Sequence, residues 1–498
     1  MKILSALQLK NCDAFTIKNE PIYSLNLMQR VADSCVNWLS SKFNDKEAFY
    51  IFCGNGNNGG GGLALARTLY QNGFDITVFV NENENFSKDA LSNLNKIKQI
   101  SGIAIFDFAD TSQFNFKENA IIVDALFGAG LNRKINKKEQ DLINFLNKVK
   151  LHKVSIDMPS GLAADHLMAE NAVIFKADET LSLQFWKKTF LHPETGPYCG
   201  KVHILNIGLS KEFIAKEPTD DFVVDDQLIQ EIYKSRNEFS HKGNFGKTTI
   251  IAGSFGKMGA AVLATKAALR SGSGITFTLA PKCGYEILQT ACPEAMYLFG
   301  GQNYNVHFDV DSDSAVGIGP GLGGNTETEL MFMEFLKSCD LPSVLDADAL
   351  NIIAKHTQFL KHIPPKSIVT PHPKEFERLF GKTENSFQQL DLARKKAQEL
   401  NIFIVLKGHH TQIITPNNKV FYNITGNSGM AKGGSGDALL GIITSLLAQN
   451  YYSEHAAVLG VWLHGKAGDF AAEKYSKEAM LPSDLIDEIG NVFKLLNH

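Results

Sequence analysis

Short apolar runs alternate with longer stretches in which apolar residues recur every three or four positions. That alternation predicts α/β architecture, with largely parallel strands joined by crossover helices. In the first half the runs are 48–53, 76–80, 103–106, 120–123 and 154–156, and 201–207 alternates in the manner of an edge strand. In the second half they are 248–252, 275–280, 315–318, 343–345, 367–370 and 403–406, followed by a hairpin through Asn417-Asn418. Between the halves, residues 210–221 are charged, interrupted by Pro218 and without apolar period. They predict a boundary between a first domain, residues 1–213, and a second, residues 222–498. The halves carry unlike glycine-rich loops and no repeat, so they read as a fusion of two different domains.

Composition narrows the chemistry. Of 498 residues, 44% are hydrophobic and 20% charged, which is ample for sizeable cores. A formal net charge of −4 offers no basic field to nucleic acid or to an anionic membrane. No stretch supplies the ~18 uninterrupted apolar residues of a membrane span. The seven cysteines are scattered and lack a C-x-x-C pair, which predicts reduced thiols in a cytoplasmic protein and no disulfide or zinc framework. Small molecules are the expected partners, with no nucleic acid and no membrane.

Candidate chemistry begins after the run 48–53. Gly54-Asn55-Gly56-Asn57-Asn58-Gly59-Gly60-Gly61-Gly62 separates that strand from a helix expected to start at Leu63. A strand, a glycine turn and a helix together aim backbone N–H groups at an anion. Residues 54–59 satisfy G-x-G-x-x-G and Glu82 follows the next strand, where a ribose-binding acid would sit, so a nicotinamide dehydrogenase is one reading. A glycine loop without a ligand is the blander one. Asp124 and Asp157 each end a strand and each precede a glycine-bearing turn. The carboxyl ends of parallel strands share one edge, so Asn57, Asn58, Asp124, Asp157 and Ser160 should converge there. Their oxygens suit a hard cation such as K+ or Mg2+. Alternatively, the two aspartates are turn formers or helix caps.

The combination N-N-G-G, D-A-L-F-G-x-G-L and D-x-P-S-G-L resembles the NAD(P)H-hydrate epimerase domain of the bifunctional nicotinamide-nucleotide repair enzymes. Asp178, Lys188 and Gly200-Lys201-Val202 also match the family's run into its last strands. The resemblance covers the first half and implies a Rossmann-like fold that interconverts the R and S forms of hydrated NADH and NADPH. It implies K+ near Asn58, Asp124 and Ser160. It implies substrate contacts from Asn57, Asn58, Gly59, Gly60, Gly61, Gly128, Ala129, Gly130, Leu131, Asn132, Arg133, Lys134 and Asp157, with Asp157 in an acid–base role. One departure stands out: the family loop reads N-N-G-G-D-G, and Gly61 occupies the aspartate's place. Epimerisation at a hydrated ring carbon needs acid–base help, so losing this carboxylate is expected to weaken turnover while leaving the backbone cradle.

In the second half, Gly426-Asn427-Ser428-Gly429-Met430-Ala431-Lys432 runs into Gly433-Gly434-Ser435-Gly436-Asp437. A helix follows, with Leu439, Ile443 and Leu446 at helical spacing. Small residues let backbone wrap an anion, and the helix dipole favours charge at that end. Asp437 is placed as a general base or acid, or else as an ordinary N-terminal carboxylate. This constellation resembles the ribokinase-like superfamily. His241-Lys242-Gly243-Asn244-Phe245-Gly246, then G-I-G-P-G-L-G at 317–323, D-A-D-A-L at 346–350, T-P-H-P-K-E at 370–375 and L-K-G at 406–408 follow in order. Together they make residues 222–498 similar to ADP/ATP-dependent NAD(P)H-hydrate dehydratase.

By position, that resemblance implies that Ala260, Gly321, His372 and Asp437 touch the hydrated nicotinamide nucleotide. Lys407, Gly408, His409, His410, Thr411 and Gly436 would touch ADP or ATP, with Mg2+ at the phosphates. Lys374 replaces a family glycine, which matters only if positive φ is required. The implied activity is repair, by epimerisation in one half and nucleotide-dependent dehydration of the S form in the other. Hydroxide leaves poorly, so phosphoryl transfer onto the ring hydroxyl, deprotonated by Asp437, would ease its elimination. The alternative is a ribokinase-like small-molecule kinase with a non-catalytic N-terminal ligand-binding module. A homo-oligomer is the expected assembly.

Overall fold

The computed structural model describes every residue except 45, 82–84, 109–113, 132 and 498, so Glu82 and Asn132 lie outside the described residues. Lys2–Thr219 form one compact unit; Met1 and the chain from Asp220 onward form another. Each is built on one sheet, as the α/β reading requires.

In the first unit the strands are β1 (Ala48–Cys53), β2 (Asp75–Val80), β3 (Ala104–Asp107), β4 (Ile121–Ala125), β5 (His152–Ile156), β6 (Glu179–Leu183) and β7 (Lys201–Leu205). Their order is β3-β2-β1-β4-β5-β6-β7, all pairs are parallel, and β7 takes the edge expected for it. The two-residue period divides β1 between two cores. Phe49, Ile51 and Cys53 pack with residues of the helices Ser24–Lys42 and Asn57–Gln71, whereas Ala48, Tyr50 and Phe52 pack with Leu142, Ile143 and Leu146 of Lys137–Lys148. Both faces of the sheet are therefore covered. Strand order reverses between β1 and β4, the switch point at which open α/β sheets place ligands.

Three features depart from the sequence pattern. The helix after β1 starts at Asn57 rather than Leu63, so Gly59, Gly60, Gly61 and Gly62 lie buried inside its first turns. An added Cβ would stand 1.7 Å from the Gly54 carbonyl oxygen at Gly59 and 2.5 Å from Ala125 Cβ at Gly62, so these glycines let helix and strands approach closely. Strand β6 escapes the apolar pattern because Thr180 and Ser182 face inward; each hydroxyl donates to a carbonyl, of Cys199 and Phe185, at 2.7 Å. The stretch 210–221 holds a helix, Lys211–Lys216, capped by Ser210. It has 6 residues and none is buried, too little to leave an apolar period.

The second unit contains β8 (Asp221–Val224), β9 (Lys247–Ile251), β10 (Ile275–Pro281), β11 (Met296–Gly301), β12 (Ser314–Ile318), β13 (Ser343–Leu345), β14 (Ile368–Val369), β15 (Phe403–Leu406), β16 (Gln412–Ile414) and β17 (Val420–Asn423). Their order is β11-β10-β9-β12-β13-β14-β15-β16-β17-β8. Only β15-β16 and β16-β17 are antiparallel, which confirms the hairpin; Asn418 turns it at φ +70°. The short β8 and the edge strand β11, ending in Gly300-Gly301, left no clear sequence signal. A second switch point lies between β9 and β12. The helix Ser435–Ala448 is buried along most of its length, and Gly441 lets it approach the helix Met258–Arg270, since an added Cβ would sit 2.1 Å from the Ala264 carbonyl oxygen.

Candidate active sites

At the carboxyl edge of the first sheet, the chain segments after β1, β4 and β5 meet. Asp124, in β4, is fully buried and accepts from Ser160 N at 2.8 Å, Ser160 Oγ at 2.5 Å, Ser155 Oγ at 2.9 Å and Leu126 N at 3.2 Å. Burial pushes its carboxyl up to about 6, and the bonds from Ser160, Leu126 and Ser155 only partly offset that. Ser160 Oγ also accepts from Phe127 N at 2.9 Å, tying the turn after β5 to the end of β4.

Asp157 follows β5 with φ +67°, a left-handed conformation that strains a non-glycine residue by on the order of 1 kcal/mol. Its Oδ2 accepts from Ala129 N at 2.8 Å and its Oδ1 from Lys187 Nζ at 2.7 Å. Lys187 is 1% exposed and also donates to Ser182 Oγ at 2.7 Å. A buried ammonium is costly without its counter-ion, so the two residues depend on each other. Gly128 is where the segments touch: an added Cβ would stand 2.6 Å from Asp157 Oδ2 and 3.3 Å from the Asn58 amide. Asn58 donates its Nδ2 to the Ile156 carbonyl at 3.3 Å. Asn58, Gly128, Ala129 and Asp157 thus close one oxygen-lined corner, with Asp124 and Ser160 beside it.

Other expected residues stand apart or play supporting parts. Asn57 accepts from Ser87 Oγ at 3.1 Å. Arg133 is paired with Glu139 at 2.9 and 2.6 Å and lies over the Phe127 ring. Leu131 N bonds the Gly128 carbonyl at 3.1 Å, closing the turn that contains Ala129 and Gly130, while Lys134 is exposed. Gly61 is buried yet has room, since an added Cβ finds its nearest atom, Val31 Cγ1, at 3.9 Å. Asp178 accepts from Lys153 N at 2.9 Å near the amino end of β6, the opposite edge of the sheet. Lys187, not its neighbour Lys188, carries the ion pair, a distinction invisible in the spacing. Asp13, on the helix Ala6–Asn19, has no motif to mark it, yet burial and then Asp157 push its carboxyl up to about 6 against the pull of Lys187.

In the second unit, the helix Ser435–Ala448 begins after Gly434, at φ +100°, and has no side-chain cap at its N-terminus. Such an end presents backbone N–H groups and a favourable dipole to an anion. Gly436, in its first turn, lines a cavity of about 630 Å³ together with His372, Lys407, Gly408, His409 and Thr411. Lys407 Nζ is 2.7 Å from Asp346 Oδ1 and 3.8 Å from Glu375 Oε2. Burial opposes its charge, but Asp346, Glu375 and Asp437 outweigh that and hold the ammonium above the ordinary lysine range. The carboxyl of Asp437 is pushed up to about 6, by burial first and then Asp346, with Lys407 opposing and Asp348 adding. A carboxylate so placed is ionised at neutral pH and more basic than a solvated one, as a general base requires.

A second group of residues lies around Asp348. Its Oδ2 accepts from Gly323 N at 2.8 Å and stands 3.4 Å from Lys257 Nζ. Gly321, at φ +66°, would carry a Cβ 3.2 Å from Ala260 Cβ, so the two expected substrate residues are neighbours. Gly436 lines the cavity, and Asp348, beside this glycine corner, acts on the Asp437 carboxyl.

His372 both shapes its turn and lines the cavity: its Nδ1 accepts from Lys374 N at 3.1 Å and Glu375 N at 3.3 Å, capping the helix Pro373–Phe380. Burial holds it below the usual histidine range, with Glu375 opposing. Lys374 is exposed and is not among the residues with positive φ, so lysine replaces glycine there without strain. His410 is not among the cavity residues; its Nδ1 faces the Asn423 carbonyl at 3.3 Å, and burial pushes it down to about 4. The 241–246 motif lies before β9, where Gly246 abuts Ala448 at the far end of the helix that starts at Ser435. His464 was not legible: it lines the cavity and meets the Ser435 carbonyl at 2.9 Å, but sits in the apolar helix Ser453–Tyr475 without a local motif.

Residues 24–189 match the family described as YjeF-related protein N-terminus, and residues 248–491 match the family described as NAD(P)H-hydrate dehydratase. The chain is 31% identical over 523 residues to the bifunctional NAD(P)H-hydrate repair enzyme Nnr of Moorella thermoacetica, covering 100% of this chain and 97% of that one. The enzyme of the same name from Coxiella burnetii is 31% identical over 473 residues, with 94% of each chain covered. A crystal structure of ADP/ATP-dependent NAD(P)H-hydrate dehydratase from Bacillus subtilis, co-crystallized with ATP and Mg2+, shares 30% identity at a TM-score of 0.49, covering 55% of this chain and 98% of that one. Relatives of this identity cover 94% to 100% of the chain, and the protein belongs to the family of bifunctional NAD(P)H-hydrate repair enzymes.

Proposed function

We propose that the protein repairs hydrated nicotinamide nucleotides. The domain of residues 1–213 interconverts the R and S hydrates, and the domain of residues 222–498 returns the S hydrate to NADH or NADPH with ADP or ATP as phosphoryl donor. What supports this reading is that Gly436, next to Asp437, lines the cavity with Lys407, Gly408, His409 and Thr411, while Asp348, one of the carboxylates acting on Asp437, binds Gly323 N near the corner of Ala260 and Gly321. A phosphoryl donor in the cavity and a ring hydroxyl in the corner would meet at Asp437.

There Asp437 takes the hydroxyl proton, and the terminal phosphoryl group passes to that oxygen. The ring nitrogen then expels phosphate to leave an iminium, and loss of a proton from the neighbouring ring carbon to the departing phosphate or to water restores the reduced ring, with AMP or ADP and phosphate as products. Backbone N–H groups at the start of the helix Ser435–Ala448 and the Lys407 ammonium stabilise charge on the transferring group. Mg2+ would enter on the nucleotide phosphates facing Gly436 and neutralise part of their charge.

In the first domain, Asp157 moves the proton that accompanies loss and return of hydroxide, with Lys187 holding it in place. Asn58, Asp124 and Ser160 each carry an oxygen donor of the kind a hard cation takes. K+ would be held by these three and would offset negative charge beside the substrate phosphates. Gly61 removes one carboxyl from this domain, so its turnover is lower than an aspartate would give. Following the separate R and S hydrates by chromatography, with and without ADP, tests both halves. Loss of S hydrate alone, at an R-hydrate rate no faster than the spontaneous one, would leave the first domain a non-catalytic module.

A further inference from the structure

Asp346 carries a set of features that no capping or packing role explains. It occupies the N-cap of the helix Ala347–Lys355, a position aspartate favours because its side chain accepts from the first turn, yet it makes no such bond. It is 1% exposed, and its Oδ1 is spent on Lys407 Nζ at 2.7 Å. Its Oδ2 faces Gly436, lying 3.2 Å from where a Cβ there would stand, and Lys407 Nζ is 3.3 Å from the same point. The next residue, Ala347, has φ +50°, a conformation that side-chain-bearing residues avoid. From behind, Gly319 presses on the Asp346 carbonyl, since an added Cβ would stand 1.8 Å from that oxygen. Backbone strain and a forgone cap are thus both accepted at a carboxylate aimed into the site.

We infer that Asp346 is a positioning residue of the dehydration site, which holds the Lys407 ammonium beside Gly436 and places a fixed negative charge next to Asp437. This rests on the proposed reading of Asp437 as the base. Two consequences follow from the geometry. Held by Asp346 on one side and Glu375 on the other, Lys407 keeps one location for a nucleotide phosphate and loses little freedom on binding it. Meanwhile Asp437 is faced by two carboxylates, Asp346 and Asp348, and by one cation, Lys407, so the proton affinity of the base is set by their balance. His464 reaches the same turn through Ser435, its Nε2 2.9 Å from the Ser435 carbonyl oxygen, and lies within electrostatic reach of Lys407.

The test combines dehydration rates of hydrated NADH with ADP, measured across the acid range, and calorimetric affinity for ADP alone, on the full chain. Asp346→Asn keeps an acceptor for the ammonium and an adequate N-cap residue while removing the charge, so the acid limb of the rate should move to lower pH. Lys407→Met should move it the opposite way. Asp346→Ala, which frees the ammonium, should weaken ADP binding roughly tenfold, the loss of about one charge-assisted contact. An Asp346→Asn enzyme with an unmoved acid limb, or an Asp346→Ala enzyme with unchanged ADP affinity, overturns the inference even if both are thermally less stable. A wild-type chain that fails to dehydrate the hydrate contradicts the reading of Asp437 instead, and the ADP affinities still decide the role of Asp346.

Discussion

Lys187 Nζ lies 2.7 Å from Asp157 Oδ1, and the lysine is 1% exposed, so the corner proposed for acid–base chemistry in the first unit is built around a buried cation. Removing the cation leaves a carboxylate in a strained, largely enclosed position with one fewer donor. Lys187→Met is expected to lower unfolding free energy by about 3–5 kcal/mol in denaturant titrations and to reduce epimerase turnover at least tenfold. A loss under about 1 kcal/mol, the usual range of an exposed pair such as Lys137 with Asp141, would contradict this interdependence.

Gly61 stands where the resemblance to the epimerase loop expects an aspartate. Nothing stands closer than 3.9 Å to an added Cβ there, so an aspartate enters without steric conflict at its first carbon. Gly61→Asp should raise the rate at which the R hydrate disappears, measured with the dehydratase in excess. A variant no faster than the parent chain would show that the missing carboxyl is not what limits epimerisation.

For the second unit the decisive side chain is Asp437. Asp437→Asn keeps size and polarity but cannot take a proton, and dehydration should fall by at least a hundredfold, within the range general-base catalysis supplies. ADP should still bind, because Lys407, Gly408, His409 and Thr411 line the cavity independently of it. Near-normal turnover in this variant would remove Asp437 from the role of base.

The same group sets a pH dependence. Burial and then Asp346 raise the Asp437 carboxyl to about 6, and only its ionised form accepts the hydroxyl proton. The dehydration rate should therefore be level at neutral pH and fall as pH drops through about 6. An acid limb near the ordinary value of 3.8 would mean that neither burial nor Asp346 acts on the base.

Much of this was legible in the sequence because chemistry and local geometry coincide at strand ends. Asp124, Asp157 and Ser160 follow apolar runs, so their meeting follows from parallel topology alone, and Gly433 to Asp437 is marked by the helical pattern that it precedes. What stayed hidden depends on tertiary neighbours. Lys187 and Lys188 are equivalent in a string of letters until one is folded onto Asp157. Asp13 and His464 reach their sites from helices whose sequences carry no motif, and Asp346 shows its part only once its missing cap and its bond to Lys407 are seen together. Strand β6 was hidden for a different reason: its inward hydroxyls find carbonyl partners, so a buried strand carries polar letters.

The central claim is repair, and the most direct measurement follows the absorbance of the reduced nicotinamide ring when the full chain meets the S hydrate of NADH with Mg2+ and ADP. The proposed function predicts that this absorbance returns, with AMP and phosphate formed in step with it. No return of absorbance, or consumption of nucleotide into a stable phosphorylated product, would contradict it and indicate a kinase instead.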